Sequence, residues 1–233
     1  MNKEVELENY LVVSPKKFGI YLFDKYEFKN LYEEELVSNE KINSINFNNL
    51  KKFLDKNIFK IEKLSGKFVE NIFIIFDDYK IFNLQIGIKK KNYNFKIKSE
   101  YLENYLYEAK DLFTENYQAE KIMHMIVNKY MIDGKSYTSL QNNIECQEVG
   151  LEIQFKSISH NIIYELNKVL ENYQIKISKF IDGSYVKNFI NEDTKLIEMA
   201  HKISNGYNQN EVIFVSKNPK KLNFFEKFFQ LFS

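Results

Sequence analysis

The chain has no tryptophan, one cysteine, two prolines and seven glycines in 233 residues, and every one of its basic residues other than histidine is lysine. Each scarcity removes a class of explanation. Without arginine there are no bidentate contacts to phosphate, carboxylate or guanine. Cys146 alone closes no internal disulfide, which fits a reducing cytoplasm. Few glycines and prolines beside 44% hydrophobic residues indicate a folded chain. A net charge of +1 supplies no field to gather nucleic acid, and no nucleic-acid partner is expected. No run of about 18 apolar residues occurs, so no spanning segment is expected, and MNKEVELENY lacks the pattern of a secretory leader. Abundant Lys, Asn, Ile and Phe match codon bias in an AT-rich genome, so runs such as Lys89 to Lys91 are discounted as partner signals.

Catalytic chemistry is sparse too. His124, His160 and His201 lie far apart with no spaced ligand partners, and Cys146 has no adjacent base. Gly134-Lys135-Ser136 lacks the earlier glycine of a phosphate loop, since Lys129 stands there, and reads as a turn. Asp77-Asp78 also reads as turn chemistry. With no convergent set of groups, no enzymatic activity, no cofactor and no metal are expected.

Periodicity outlines the elements. Residues 10–14, 18–24 and 29–37 read as strands, 47–63 as a helix ending before Gly66, and 70–76 as a buried strand. Then come a strand at 80–88, a helix at 99–116, a strand at 121–132, a polar loop at 135–149 and a strand at 151–158. A helix at 161–173, a strand at 174–181 and short helices at about 183–190 and 193–204 follow.

The most informative segment is LNFFEKFFQLFS. On a helix Leu222, Phe224, Phe225, Phe228, Phe229, Leu231 and Phe232 fill one half, and Asn223, Glu226, Lys227, Gln230 and Ser233 the other. Lys217, Lys220 and Lys221 precede it. An aromatic stripe behind a basic stretch suits a helix lying in a membrane interface. Fully burying one Phe contributes roughly 1.5–3 kcal/mol, and each lysine adds about 1 kcal/mol at an anionic leaflet. The alternative is a helix docked on its own core or in a partner's groove.

The stretch from Lys121 to Ile177 resembles the 1C subdomain of FtsA, the actin-like bacterial cell-division family. IMHMIVNKYMIDG keeps His124, Tyr130, Asp133 and Gly134 of the family pattern, with Val127 where the family has proline. Asn142, Leu151 and Glu152 also match, while Asn143, Glu145 and Glu148 stand at family Pro and Gly positions. The terminal KNPKKLNFFEKFFQLFS is similar to the membrane-binding helix that ends the family's chains. The resemblance implies a single actin-like (ribonuclease H-like) lobe of α/β class at 1–78 and 174–205, and an inserted small α+β, 1C/SHS2-like subdomain at 79–173. A linker at 206–219 and a membrane helix at 220–233 complete it. The second lobe has no room.

The family's phosphate turn, Leu-Asp-Ile-Gly-Thr, is here Leu11-Val12-Val13-Ser14-Pro15, so nucleotide binding is expected to be lost. The implied role is a non-enzymatic division adaptor, peripheral on the cytoplasmic face of the inner membrane at the division site. Its implied partners are anionic lipids and divisome proteins that meet the 1C-like face. FtsZ binding is in doubt, because the family's FtsZ-binding subdomain belongs to the missing lobe. The face left by that lobe is expected to be polar, or covered by residues 183–215 or by a second copy. A soluble interaction module and a pilus or secretion assembly protein of the same superfamily stand as alternatives.

Overall fold

A computed structural model describes residues 6–38, 44–78, 80–91, 96, 99–139 and 145–213. In chain order the elements are β1 (Leu7–Val13), β2 (Lys17–Asp24), β3 (Lys29–Val37), α1 (Phe47–Ser65), β4 (Asn71–Phe76), β5 (Phe82–Lys91), α2 (Ser99–Asn116) and β6 (Glu120–Ile132). There follow β7 (Lys135–Tyr137), β8 (Glu148–Ser159), α3 (His160–Leu170), a 3₁₀ turn (Glu171–Tyr173), β9 (Lys176–Asp182), α4 (Gly183–Lys187) and α5 (Leu196–Ser204). The described residues form two compact units. One holds those up to Lys80 and from Asn161 to Tyr207; the other holds those from Ile81 to His160 and from Asn208 on.

The first unit is a five-stranded sheet in the order β3-β2-β1-β4-β9. β1, β2 and β3 pair antiparallel, whereas β1 with β4 and β4 with β9 pair parallel. An antiparallel meander continued by two parallel strands is the sheet of an actin-like, ribonuclease H-like lobe, and the second unit is inserted between β4 and β9. The β1–β2 turn closes on Ser14, whose backbone N–H donates to the Lys17 carbonyl at 2.9 Å. α1 starts where the Asn46 side chain accepts from the Asn49 N–H at 3.0 Å, and it ends at Gly66 in left-handed conformation. Its stripe Leu50, Phe53, Leu54, Ile58 and Ile61 is buried, with Phe53 against Phe18 of β2. On the opposite sheet face His201 of α5 meets Glu8 of β1 and Phe23 of β2. The central strands β1, β2 and β4 are therefore packed on both faces, while the edge strand β3 stays largely exposed.

The second unit is an antiparallel sheet in the order β5-β8-β6-β7. Leu151, Ile153 and Phe155 of β8, Met125 and Val127 of β6, and Leu106, Ala109 and Phe113 of α2 share one core. Phe113 stacks on Phe155 at 4.8 Å. Two expectations change here. The polar loop at 135–149 contains the short strand β7, which a three-residue pairing with Tyr130–Ile132 holds in place. The linker at 206–219 is, in its first part, a strap on β6. The Val127 N–H donates to the Asn210 carbonyl and the Val212 N–H to the Met125 carbonyl, both at 2.8 Å, and the Val212 side chain joins the core. Burial of a single valine and satisfaction of an open strand edge bring this segment down.

Candidate functional site

Ligands in open α/β sheets bind at the carboxyl ends of the strands. The ends of β1, β4 and β9 bring Ser14, Asp77 and Asp182 there. Each is engaged by the chain. The Ser14 hydroxyl accepts from the Lys17 N–H at 2.9 Å. The Asp77 N–H donates to the Val13 carbonyl at 2.9 Å, and Lys187 of α4 donates to the Asp77 carboxylate at 2.6 Å. Asp182 is fully buried and caps α4, accepting from the Ser184 N–H at 2.8 Å and the Ser184 hydroxyl at 2.7 Å. Gly183 lies so near that a Cβ there would sit 2.9 Å from Asp77 Cβ. Val12, at the family's metal-side aspartate position, is buried. Among the described residues no three His, Cys, Asp or Glu side chains are placed to hold a metal ion.

The resemblance residues lie in the second unit. Asp133 and Gly134, both with positive φ, form the two-residue β6–β7 turn, and Ile132 pairs with Lys135. Gly134-Lys135-Ser136 is thus a turn and a strand start. The Asp133 carboxylate accepts from the N–H groups of Gln147 and Glu148 at 2.9 and 2.8 Å, tying the turn to β8. Tyr130 is half-buried, and burial holds its phenol above the ordinary value. Leu151 is buried opposite Tyr130, and Glu152 pairs with Lys129 at 3.1 Å. His124 Nδ1 is 2.8 Å from the Glu211 carboxylate, with the two side chains 0% and 2% exposed. Asn142 lies outside the described residues. So do Lys220, Lys221, Leu222, Phe224, Phe225, Lys227, Phe228, Phe229, Leu231 and Phe232.

Glu211, Lys187 and Asp182 are the polar groups that sequence reasoning missed. Glu211 is 87 positions from His124 and Lys187 is 110 from Asp77, so no local pattern joins them. Only Asp182-Gly183-Ser184 carried a local signal, that of a helix cap. A cavity of about 390 Å³ lies between β3 and α1, lined by Glu34, Glu35, Leu36, Phe53, Lys56 and Lys60 among others.

No protein-family model matches the chain, and no curated protein matches it. Solved structures that resemble it include the cytoplasmic domain of EpsL, an inner-membrane component of the type II secretion system of Vibrio cholerae. That match has a TM-score of 0.40 and 9% identity, and covers 78% of this chain and 59% of the other. A Bacteroides thetaiotaomicron protein with an actin-like ATPase fold and unknown function matches at a TM-score of 0.34 and 16% identity, covering 80% and 56%. A PilM-PilN type IV pilus biogenesis complex matches at 0.42 and 6%, covering 77% and 48%. The chain spans about half to three-fifths of the length of these structures. Its own strand order, not these similarities, carries the fold.

Proposed function

We propose that the chain is a non-enzymatic adaptor of the actin-like class that holds a protein assembly at a membrane. The observation that carries this reading is the terminal stripe of Phe224, Phe225, Phe228, Phe229 and Phe232 behind Lys220 and Lys221. The occupied strand ends support its non-enzymatic part: Lys187 takes the place of a ligand on Asp77, and Asp182 is consumed as a cap. Within this class one reading, suggested by the resemblance at the Asp133-Gly134 turn and His124, is an FtsA-like division adaptor whose partners meet the inserted unit. A role in pilus or secretion assembly is the other reading, and it fits no worse.

Co-sedimentation with anionic liposomes tests the proposal, comparing the full chain with one ending at Asn218. Pelleting of the full chain, weakened by salt and mostly lost on truncation, is the expected result. If neither pellets, the stripe is a core or partner surface and the adaptor works away from lipid. Fluorescence of an N-terminal fusion in the native host then separates the two assemblies. A midcell ring supports division, and foci away from the septum support pilus or secretion assembly.

A further inference from the structure

The buried stripe of α1 leaves its outward side to be explained. At 100° per residue Phe59 stands opposite the middle of that stripe, with Lys52, Lys56 and Lys63 within about 60° of it. Phe59 is 73% exposed, and Phe68 in the loop after the helix is 84% exposed. Single exposed apolar residues are ordinary. Here two aromatic rings stand on one helix and the loop after it, among lysines. Lysine abundance alone is no partner signal in this chain, but between Lys51 and Phe68 six lysines face two acids, a local excess against a net charge of +1. Both acids point to other work: Asp55 accepts from the Tyr173 hydroxyl at 2.6 Å, and Glu62 accepts from the Val69 N–H at 3.2 Å.

We infer that this ridge is a second contact for an anionic lipid surface, independent of the terminal stripe. The outer side of a helix is convex, which suits a broad, yielding surface and not a small ligand. Lysine stems can lie along the apolar rings while their ammonium groups reach headgroups, the arrangement that interfacial helices use. The cavity beside the ridge is not the anion site, because Glu34 and Glu35 share its lining with Lys52, Lys56 and Lys60; of the three lysines beside Phe59, Lys63 stands outside that lining. The inference does not rest on the tail reading, and the two fail separately.

The test uses the full chain and vesicles of phosphatidylglycerol with phosphatidylethanolamine, against phosphatidylcholine alone. The ridge variant carries Phe59→Ser and Phe68→Ser, both at exposed positions, and the tail variant Phe225→Ser, Phe228→Ser and Phe232→Ser. The ridge variant is expected to lose about tenfold in affinity for anionic vesicles. The tail variant is expected to keep weak, salt-sensitive binding that the ridge changes abolish. A charge variant, Lys52→Glu with Lys56→Glu and Lys63→Glu, should lose affinity on anionic vesicles only, and Tyr26→Ser, at another exposed aromatic, should bind like the wild type. Equal binding with and without the ridge changes, in both tail backgrounds, overturns the inference. A tail variant that binds as tightly as wild type sinks the tail reading and leaves the ridge as the contact.

Discussion

Three phenols show how single residues tie the fold to pH. Burial, with Glu8, Glu35 and Asp55 beside them, holds Tyr10, Tyr21 and Tyr173 above the ordinary value of 10.0. Unfolding releases each to titrate near that value. Above it the folded chain therefore binds more protons than the unfolded one, and stability falls as pH rises. Each buried phenol contributes up to about 1.4 kcal/mol per pH unit, with Tyr173 discounted for its exposure. Urea midpoints from pH 8 to 11 should be level at first and then drop beyond about pH 10; a level profile throughout would show that these phenols titrate freely.

The acid side has the opposite sign. Burial alone would raise the Glu35 carboxyl, but hydrogen bonds from Lys17 and Tyr21 outweigh it and hold the group below the usual range. Its contribution is present above the ordinary carboxylate pKa and is lost as pH falls through the lowered one. None of this shows in the sequence, because Glu35 reads there only as one of three consecutive glutamates on a weak strand.

At the scale of elements, the periodic pieces were legible, the short helices α4 and α5 among them, and two pieces held by a neighbouring strand were not. Helix α1, strand β4 and helix α2 lie where spacing put them, because an amphipathic helix or an apolar strand repeats its signal over several turns or pairs. Strand β7 and the strap on β6 have only a few residues each, and their signal is the partner edge. The strap depends on the buried contact between His124 and Glu211. Glu211→Ala should cost about 2–3 kcal/mol, the worth of a buried hydrogen bond to a charged group together with the loss of its partner. Urea unfolding would measure it, and limited proteolysis should cut faster near residue 208; unchanged cleavage would mean that Val212 and the two backbone bonds suffice. The β6–β7 turn makes a similar prediction. Asp133→Ala removes the acceptor for two backbone N–H groups and should lower stability by about 1–2 kcal/mol, read as a fall in melting temperature.

For the whole molecule, the topology shows how the five-stranded sheet is packed. The helices α1 and α5 pack on opposite faces of the five-stranded sheet, where β1, β2 and β4 are largely buried. Removal of residues 219–233 should therefore leave the melting temperature within a degree or two while abolishing most vesicle binding. A large loss of stability on that deletion would instead mark the Phe stripe as core.

The sequence by itself determined the class of the chain. Alternating and 3.6-residue patterns specify strands and helices locally, and the order of three strands, a helix and a strand before an insertion is written in the linear chain. Its composition excluded an internal disulfide and arginine-based recognition, and the terminal stripe lies within twelve residues. The tertiary structure alone decided which polar groups meet. Lys187 on Asp77, Glu211 on His124 and Glu8 beneath His201 are contacts between segments 87 to 193 residues apart. Such pairs are set by sheet register and helix placement, which depend on the sum of many small burial terms and leave no mark at either residue.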